Sequence, residues 1–157
     1  MRAALVAFVI GVCAAGAGLA TASPWTDTQT ASGNVTAGTW LPAQIDIKPG
    51  GEPNSINLGS EAVIPVAILT TASFDATTVD PATVCFGDED APGERDCSET
   101  HGTGHIRDVD RDRDRDLLLH YETVNTGIDL GDTQACLRGE TFGGTPVVGC
   151  DTVRTLP

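Results

Sequence analysis

From residue 43 onward, short apolar runs alternate with turn residues about every 8 to 15 positions. No segment keeps a helical period over several turns. The pattern predicts strands over residues 44–48, 55–58, 62–69, 83–86, 117–121, 134–140 and 145–155. Several short strands at this spacing are typical of all-β domains, so we expect a β-sandwich of the immunoglobulin-like, Greek-key type.

The most apolar of these segments, residues 62–69, contains Pro65. Proline has no backbone N–H and cannot donate a hydrogen bond to a neighbouring strand. The sequence therefore predicts that this strand lies at the edge of a sheet or contains a bulge.

The first 42 residues differ in composition from the β region. A charge-free apolar run ends in an A-x-A pattern at Ala22, so residues 1–22 are predicted to be a cleaved secretory signal. Residues 23–42 are rich in Thr, Ser, Gly and Ala and are predicted to be a flexible leader, followed by a β-sandwich domain over residues 43–157. We expect a secreted protein, extracellular or periplasmic, with no membrane span after cleavage.

The chain is strongly acidic, with 22 acidic and 9 basic residues and a formal net charge of −13. This charge excludes a nucleic-acid binder that works by neutralising phosphates, which needs a basic surface. It also argues against docking on anionic membranes. The expected partner is an unknown extracellular protein or a glycan.

Four of the five cysteines lie beyond the predicted signal, and an oxidising compartment favours their pairing. Four cysteines allow three pairings, and sequence alone does not choose among them. The local pattern favours a hairpin with its tip at Gly143, which would place Cys136 opposite Cys150. Cys85 and Cys97 would then close a second loop. The absence of a C-x-x-C spacing argues against a zinc site built from cysteines.

Aspartate occupies every second position between residues 108 and 116, where the chain reads DVDRDRDRD. In a calcium loop, Asp108, Asp110 and Asp112 would stand at positions 1, 3 and 5, Asp114 would offer its carbonyl at position 7, and Asp116 would stand at position 9. Ca²⁺ prefers six to eight oxygen ligands. The run therefore predicts a Ca²⁺ site, and it resembles the short D-x-D-x-D loops of dockerins and other extracellular calcium modules.

The arginines of this run favour a different interpretation. Arg113 stands where calcium loops normally have a glycine with a left-handed backbone. Together with Arg111 and Arg115, it offsets three of the five negative charges. The alternative is a solvated edge strand or loop in which the aspartates face one side and the arginines the other.

Several short motifs occur together along residues 45–155. They read IDIKPG from Ile45, PNSIN from Pro53, IPVAILTT from Ile64, FDATTVDP from Phe74 and DVD from Asp108. In combination they resemble a functionally uncharacterised family of secreted bacterial β modules, often found in exported, surface-associated proteins of the PEP-CTERM type. The resemblance implies export and a β-sandwich but no activity. Members of that family commonly have glycines where this chain has Arg111 and Arg113.

The chain has three histidines. His101 and His105 are four positions apart in a glycine-containing loop and can bind Zn²⁺ or Cu²⁺ with a nearby carboxylate, although two exposed loop histidines are the plainer interpretation. His120 lies within the predicted 117–121 strand and is expected to be structural. Because the chain has no H-E-x-x-H, G-x-S-x-G or Walker pattern, we predict that it is not an enzyme.

These features favour a secreted, non-catalytic module that binds Ca²⁺ for structural reasons and makes surface or extracellular-matrix contacts. A carbohydrate- or polymer-binding module, with Trp25 and Trp40 as stacking platforms, is the first alternative. A small metal-dependent hydrolase that uses His101 or His105 is the second.

Overall fold

A computed structural model describes residues 39–89 and 97–157; the predicted signal and most of the predicted leader, with Trp25, lie outside these ranges. The described strands, in chain order, are β1 (Leu41–Pro42), β2 (Gln44–Ile47), β3 (Ser55–Asn57), β4 (Val63–Leu69), β5 (Cys85–Gly87), β6 (His105–Arg107), β7 (Asp116–Glu122), β8 (Gln134–Glu140), β9 (Pro146–Thr152) and β10 (Arg154–Leu156). The helical segments of this region are short 3₁₀ turns at Ala76–Thr78, Pro81–Thr83 and Thr123–Asn125. None of them has the length or the apolar character needed to cross a bilayer.

The strands form two four-stranded sheets and one small ribbon. The first sheet has the order β2-β4-β7-β6 and is antiparallel throughout. The second sheet has the order β1-β9-β8-β5 and is antiparallel except where β1 runs parallel to β9. Strands β3 and β10 pair in parallel as a separate ribbon. The predicted all-β sandwich is confirmed.

The core draws on both four-stranded sheets. The first sheet contributes Ile45, Ile47, Ile64, Val66, Ile68, Leu117, Leu119 and Tyr121, and the second contributes Phe86, Ala135, Leu137 and Val147. The rings of Phe86 and Tyr121 bridge the sheets at 5.2 Å between centroids. Burial of one such large apolar side chain stabilises the fold by about 1.5–3 kcal/mol.

Strand β4 corrects the prediction made from Pro65. It lies between β2 and β7 in continuous register with both, and is therefore neither an edge strand nor bulged. The Pro65 carbonyl accepts a hydrogen bond from the N–H of Lys48. The nitrogen and the carbonyl of one strand residue point to the same neighbour, so the proline nitrogen, which carries no hydrogen, also faces β2. Strand β2 ends at Ile47, opposite Val66. The Lys48 carbonyl, which lies opposite the proline nitrogen, accepts instead from the Gly51 N–H (2.9 Å), so no acceptor is left unpaired there.

Three short strands were not predicted from the pattern. Strands β1 and β6 are only two and three residues long, too short to show alternation; β1 falls within residues assigned to the leader. The predicted 145–155 strand is divided at Val153, and its second half, β10, pairs with β3. Strand β5 begins at Cys85 because residues 81–83 form a 3₁₀ turn capped by the Asp80 side chain.

The structure has both disulfides that the local pattern favours. Cys136 and Cys150 face each other across the β8–β9 hairpin and are bonded, as predicted from a tip at Gly143. Cys85 and Cys97 form the second bond. Two disulfides fit an extracellular or periplasmic protein, since such bonds persist in oxidising compartments.

Strand β9 approaches the β1–β2 connection closely at Gly149. A Cβ atom at this position would lie 2.6 Å from the Ala43 carbonyl oxygen and 2.8 Å from Cγ2 of Ile45. Two residues further on, Asp151 Oδ2 accepts hydrogen bonds from the Ile47 N–H (3.1 Å) and from Nδ2 of Asn54 (2.9 Å). The two sheets are therefore joined along this edge both by close backbone approach and by a shared carboxylate.

Replacement of Gly149 by alanine is expected to lower the free energy of unfolding by about 1–3 kcal/mol, because the added methyl group overpacks this contact. Denaturant unfolding measures the change. Gly143→Ala is the matched control, since its Cβ would meet only Thr141 Oγ1 at an ordinary 3.6 Å. Equal losses in the two variants would contradict the close approach at Gly149.

Candidate functional site

The acidic loop, residues 108–116, forms the tip of the β6–β7 hairpin. The last pair of the ladder joins Arg107 to Asp116, and the residues between them form bends. The edge-strand form of the alternative is therefore wrong, because the chain turns sharply where that strand would run. Its other form, a solvated loop, agrees with the bends and with the exposed arginines.

The side chain of Asp116 anchors the loop. It is fully buried. Its Oδ1 accepts a hydrogen bond from the Thr70 N–H (2.9 Å), and its Oδ2 accepts one from the Val109 N–H (2.7 Å). These bonds tie the end of β4 and the start of the acidic loop to the first residue of β7. Each carboxylate oxygen retains a further lone pair for another donor or a cation.

Two consecutive aspartate turns shape the tip of the loop. Oδ1 of Asp110 accepts from the Asp112 N–H (3.2 Å), and Oδ1 of Asp112 accepts from the Asp114 N–H (3.0 Å). The intervening Arg111 and Arg113 have φ angles of 70° and 86°. Both arginines thus adopt the left-handed backbone that favours glycine, as predicted for position 6 of a calcium loop.

The five aspartates of the loop form two overlapping groups of potential ligands. One group contains Asp108, Asp110 and Asp116, and the other contains Asp110, Asp112 and Asp114; within each, one oxygen per residue lies within 4.8 Å of the others. Asp110 belongs to both groups. Asp114, assigned a backbone carbonyl from the sequence, brings its carboxylate into the cluster as well. These groups could hold a metal ion.

The cluster is electrostatically crowded. Partial burial, the hydrogen bond with Asp112 and the neighbouring negative charges raise the pKa of Asp114 to about 6. Oδ1 of Asp114 is buried and has no hydrogen-bond partner among the residues that the structure describes. A bound cation would both satisfy this oxygen and offset the repulsion between the carboxylates.

The three arginines of the loop do not neutralise these carboxylates directly. Arg111, Arg113 and Arg115 are exposed. The ion pairs within 4 Å among residues 39–89 and 97–157 involve other basic groups. One oxygen of each aspartate lies near those of its group, and no ion pair among the described residues offsets their negative charge.

The structure also brings together the three histidines that the sequence treats separately, and we call His101, His105 and His120 the histidine cluster. One ring nitrogen of each lies within 4.8 Å of the others. His105 begins β6, and His120 stands on the half-buried outer face of β7 between the buried Leu119 and Tyr121. The alternation of apolar residues around His120 is the sequence signal for this outward placement.

Glu99, which sequence analysis missed, lies beneath the histidine cluster. Its side chain is 1% exposed, and Oε1 is 3.0 Å from Nδ1 of His101. Burial alone would raise the pKa of Glu99, but hydrogen bonds from His101, His120 and Thr103 outweigh it and lower that pKa. Burial, followed by the neighbouring histidines, lowers the pKa of His120. The cluster therefore favours an ionised Glu99 and a neutral His120.

Trp40, a proposed stacking platform, is 49% exposed. The guanidinium of Arg138 lies 5.9 Å from the centre of its ring. The Trp40 ring thus already interacts with a cation of the same chain, which occupies part of its surface. The other proposed platform, Trp25, lies outside the described residues.

Comparison of the chain with protein-family models, with curated proteins and with solved structures finds no match. The candidate function therefore depends on the chemistry of the two side-chain clusters.

Asp116→Asn is expected to lower the free energy of unfolding by about 1–3 kcal/mol, measured in EDTA so that no cation contributes. An amide offers only one acceptor oxygen, so one of the two buried N–H groups would lose its partner.

The control for this substitution is Asp75→Asn. Asp75 is exposed and caps the 76–78 turn through one oxygen, a role that asparagine performs equally well. We expect a change below about 0.5 kcal/mol there. An Asp116→Asn protein as stable as this control would contradict the anchoring role of Asp116.

Proposed function

We propose that this chain is a secreted, non-catalytic β-sandwich module that binds Ca²⁺ structurally through the acidic loop. In this proposal, Asp108, Asp110, Asp112, Asp114 and Asp116 supply the protein ligands. The module makes surface or extracellular-matrix contacts, with an unknown extracellular protein or a glycan as partner.

The observation that carries the proposal is the convergence of carboxylates inside a sharply turned loop. Two groups share Asp110, and the intervening Arg111 and Arg113, which have left-handed backbone, are exposed. Mutual repulsion opposes such a convergence of carboxylates, and a bound cation would offset that repulsion. This loop nevertheless holds its aspartates together, and it leaves a buried oxygen of Asp114 without a partner among the described residues.

The donor set favours Ca²⁺ over other common cations. All five side chains offer carboxylate oxygens, which suit hard cations such as Ca²⁺ and Mg²⁺. Ca²⁺ accepts six to eight ligands in flexible geometry, whereas Mg²⁺ demands a near-ideal octahedron and keeps several waters. An irregular loop with overlapping groups suits the more tolerant ion. The nearby arginine charges lower the expected affinity to the millimolar range of extracellular modules.

Ca²⁺ is expected to raise the melting temperature of the protein by several degrees. At 10 mM Ca²⁺ and a dissociation constant of about 1 mM, linkage adds about 1.4 kcal/mol to the free energy of unfolding. Asp110→Asn should abolish most of this rise, because Asp110 is shared by both groups and asparagine still closes the turn. Thermal melts in EDTA, 10 mM CaCl₂ and 10 mM MgCl₂ provide the measurement.

Asp132→Asn is the matched control for Asp110→Asn. Asp132 is another surface aspartate that accepts a hydrogen bond from a nearby backbone N–H, that of Asp129. It should keep the full response to Ca²⁺. The proposal fails if Ca²⁺ and Mg²⁺ shift the melt equally, or if the two variants respond alike.

The double substitution Arg111→Gly/Arg113→Gly should strengthen the site. Glycine removes the strain of the left-handed backbone but also makes the unfolded chain more flexible. The free energy of unfolding in EDTA should therefore rise by a net amount of about 0.5–1 kcal/mol per position. Removal of two positive charges should also tighten Ca²⁺ binding by about three- to tenfold. Denaturant unfolding and calcium titration calorimetry measure the two effects.

Arg115→Gly separates these causes. It removes an arginine charge from the same loop, but Arg115 is outside the positive-φ positions of the described residues. It should tighten Ca²⁺ binding slightly and give no gain of stability in EDTA. A similar gain in stability from Arg115→Gly would show that strain at Arg111 and Arg113 is not the cause.

A further inference from the structure

The histidine cluster lies at the opposite end of the β6–β7 hairpin from the acidic loop. His105 pairs with Leu118 across the ladder, so its diagonal neighbour on the same outer face is His120. His101 approaches from the preceding loop. The three ring centroids are 5.4–5.6 Å apart, and each pair of rings is steeply inclined, between 68° and 87°. The three imidazoles therefore surround one point at nearly equal distances.

The backbone around the cluster is tightly bound to β7. The Thr100 N–H and hydroxyl both donate to the His120 carbonyl, at 2.9 and 3.0 Å. Oε1 of Glu99 accepts the His120 N–H (3.2 Å), and its Oε2 accepts the N–H groups of His101 (2.7 Å) and Thr103 (3.1 Å). The loop that carries His101 is thus fixed against the strand that carries His120.

The same glutamate determines which nitrogen His101 presents. Its Oε1 contacts Nδ1 of His101 at 3.0 Å, which leaves Nε2 as the free ligand atom. A buried carboxylate that holds the other nitrogen of a histidine is the usual support for a metal-binding imidazole. Nδ1 of His120 is also buried, and it has no hydrogen-bond partner in the described part of the chain.

We propose that His101, His105 and His120 bind one divalent transition-metal ion of the zinc or copper class, and that Glu99 positions His101. Imidazole suits these ions, whereas the carboxylates of the acidic loop suit Ca²⁺. Three nitrogens around a tetrahedral Zn²⁺ lie about 3.4 Å apart, so small rotations of the rings complete the site. The side chain of His101 is 51% exposed, so its ring can make such a small adjustment while Nδ1 stays hydrogen-bonded to Glu99. With three protein ligands, the fourth position stays open to water or an external ligand.

The test uses the chain without its predicted signal and without a histidine tag, in buffer that contains 5 mM CaCl₂ to occupy the acidic loop. These are the only histidines in the sequence. Calorimetric titration with Zn²⁺ should give one site with a dissociation constant in the micromolar range or below. Titration with Co²⁺ should give the visible absorption bands of a nitrogen-ligated ion.

His101→Ala and His105→Ala should each weaken Zn²⁺ binding at least about tenfold. Both residues are accessible, so the variants are expected to fold, as circular dichroism would verify. Glu99→Gln should weaken Zn²⁺ binding by a similar factor in protein that circular dichroism shows to be folded, whereas a purely structural role would leave the Zn²⁺ affinity of the folded variant unchanged. Asp112→Asn, in the acidic loop, is the control and should bind Zn²⁺ normally.

The absence of Zn²⁺ binding would overturn the proposal, and so would unchanged affinity in both histidine variants. Loss of Zn²⁺ binding in Asp112→Asn alone would assign the ion to the acidic loop and overturn it as well. The proposal does not depend on the Ca²⁺ site, because the two ions are titrated separately.

Discussion

The buried carboxylate of Asp116 fixes the geometry on which both candidate sites depend. A carboxylate without solvent is tolerated when its oxygens are hydrogen-bonded, and here each oxygen accepts one bond, from the Thr70 and Val109 N–H groups. Because neither donor can leave without a cost of a few kcal/mol, the acidic loop stays folded against β4. The same bonds set where β7 starts, and therefore which residues of β6 and β7 face each other.

Glu99 repeats this arrangement at the other end of the hairpin. It is a second buried carboxylate, and backbone donors from its own loop and from β7 satisfy it. In both places a short loop without regular structure is ordered by one acidic side chain that points inward. Each ordered loop can then hold other polar side chains close together at the surface. In an unordered loop, the loss of conformational entropy would oppose such an arrangement.

The features that can be predicted from the sequence are those that depend on local periodicity. The alternation along β7 and β8 and the tip at Gly143 determine the main strands and the pairing of Cys136 with Cys150. Strand β6 could not be predicted in this way, because its three residues are too few to show a period. The role of Glu99 could not be predicted either, because a buried carboxylate looks the same in sequence as an exposed one. Pro65 misled the prediction, since its tolerance depends on where β2 ends.

The two clusters share one hairpin but offer different donors, oxygens at its tip and imidazole nitrogens at its base. Each ion would bind the folded chain and not the unfolded one, so both would add to stability by mass action. Apart from direct repulsion between the two cations, which salt screens, their affinities would be coupled only if the hairpin itself opened, because a ligand shifts an equilibrium only through a difference in affinity between states. The bonds of Asp116 and Glu99 oppose that opening. The two proposed ions would therefore bind independently of any conformational change, each selected by the chemistry of its own donors.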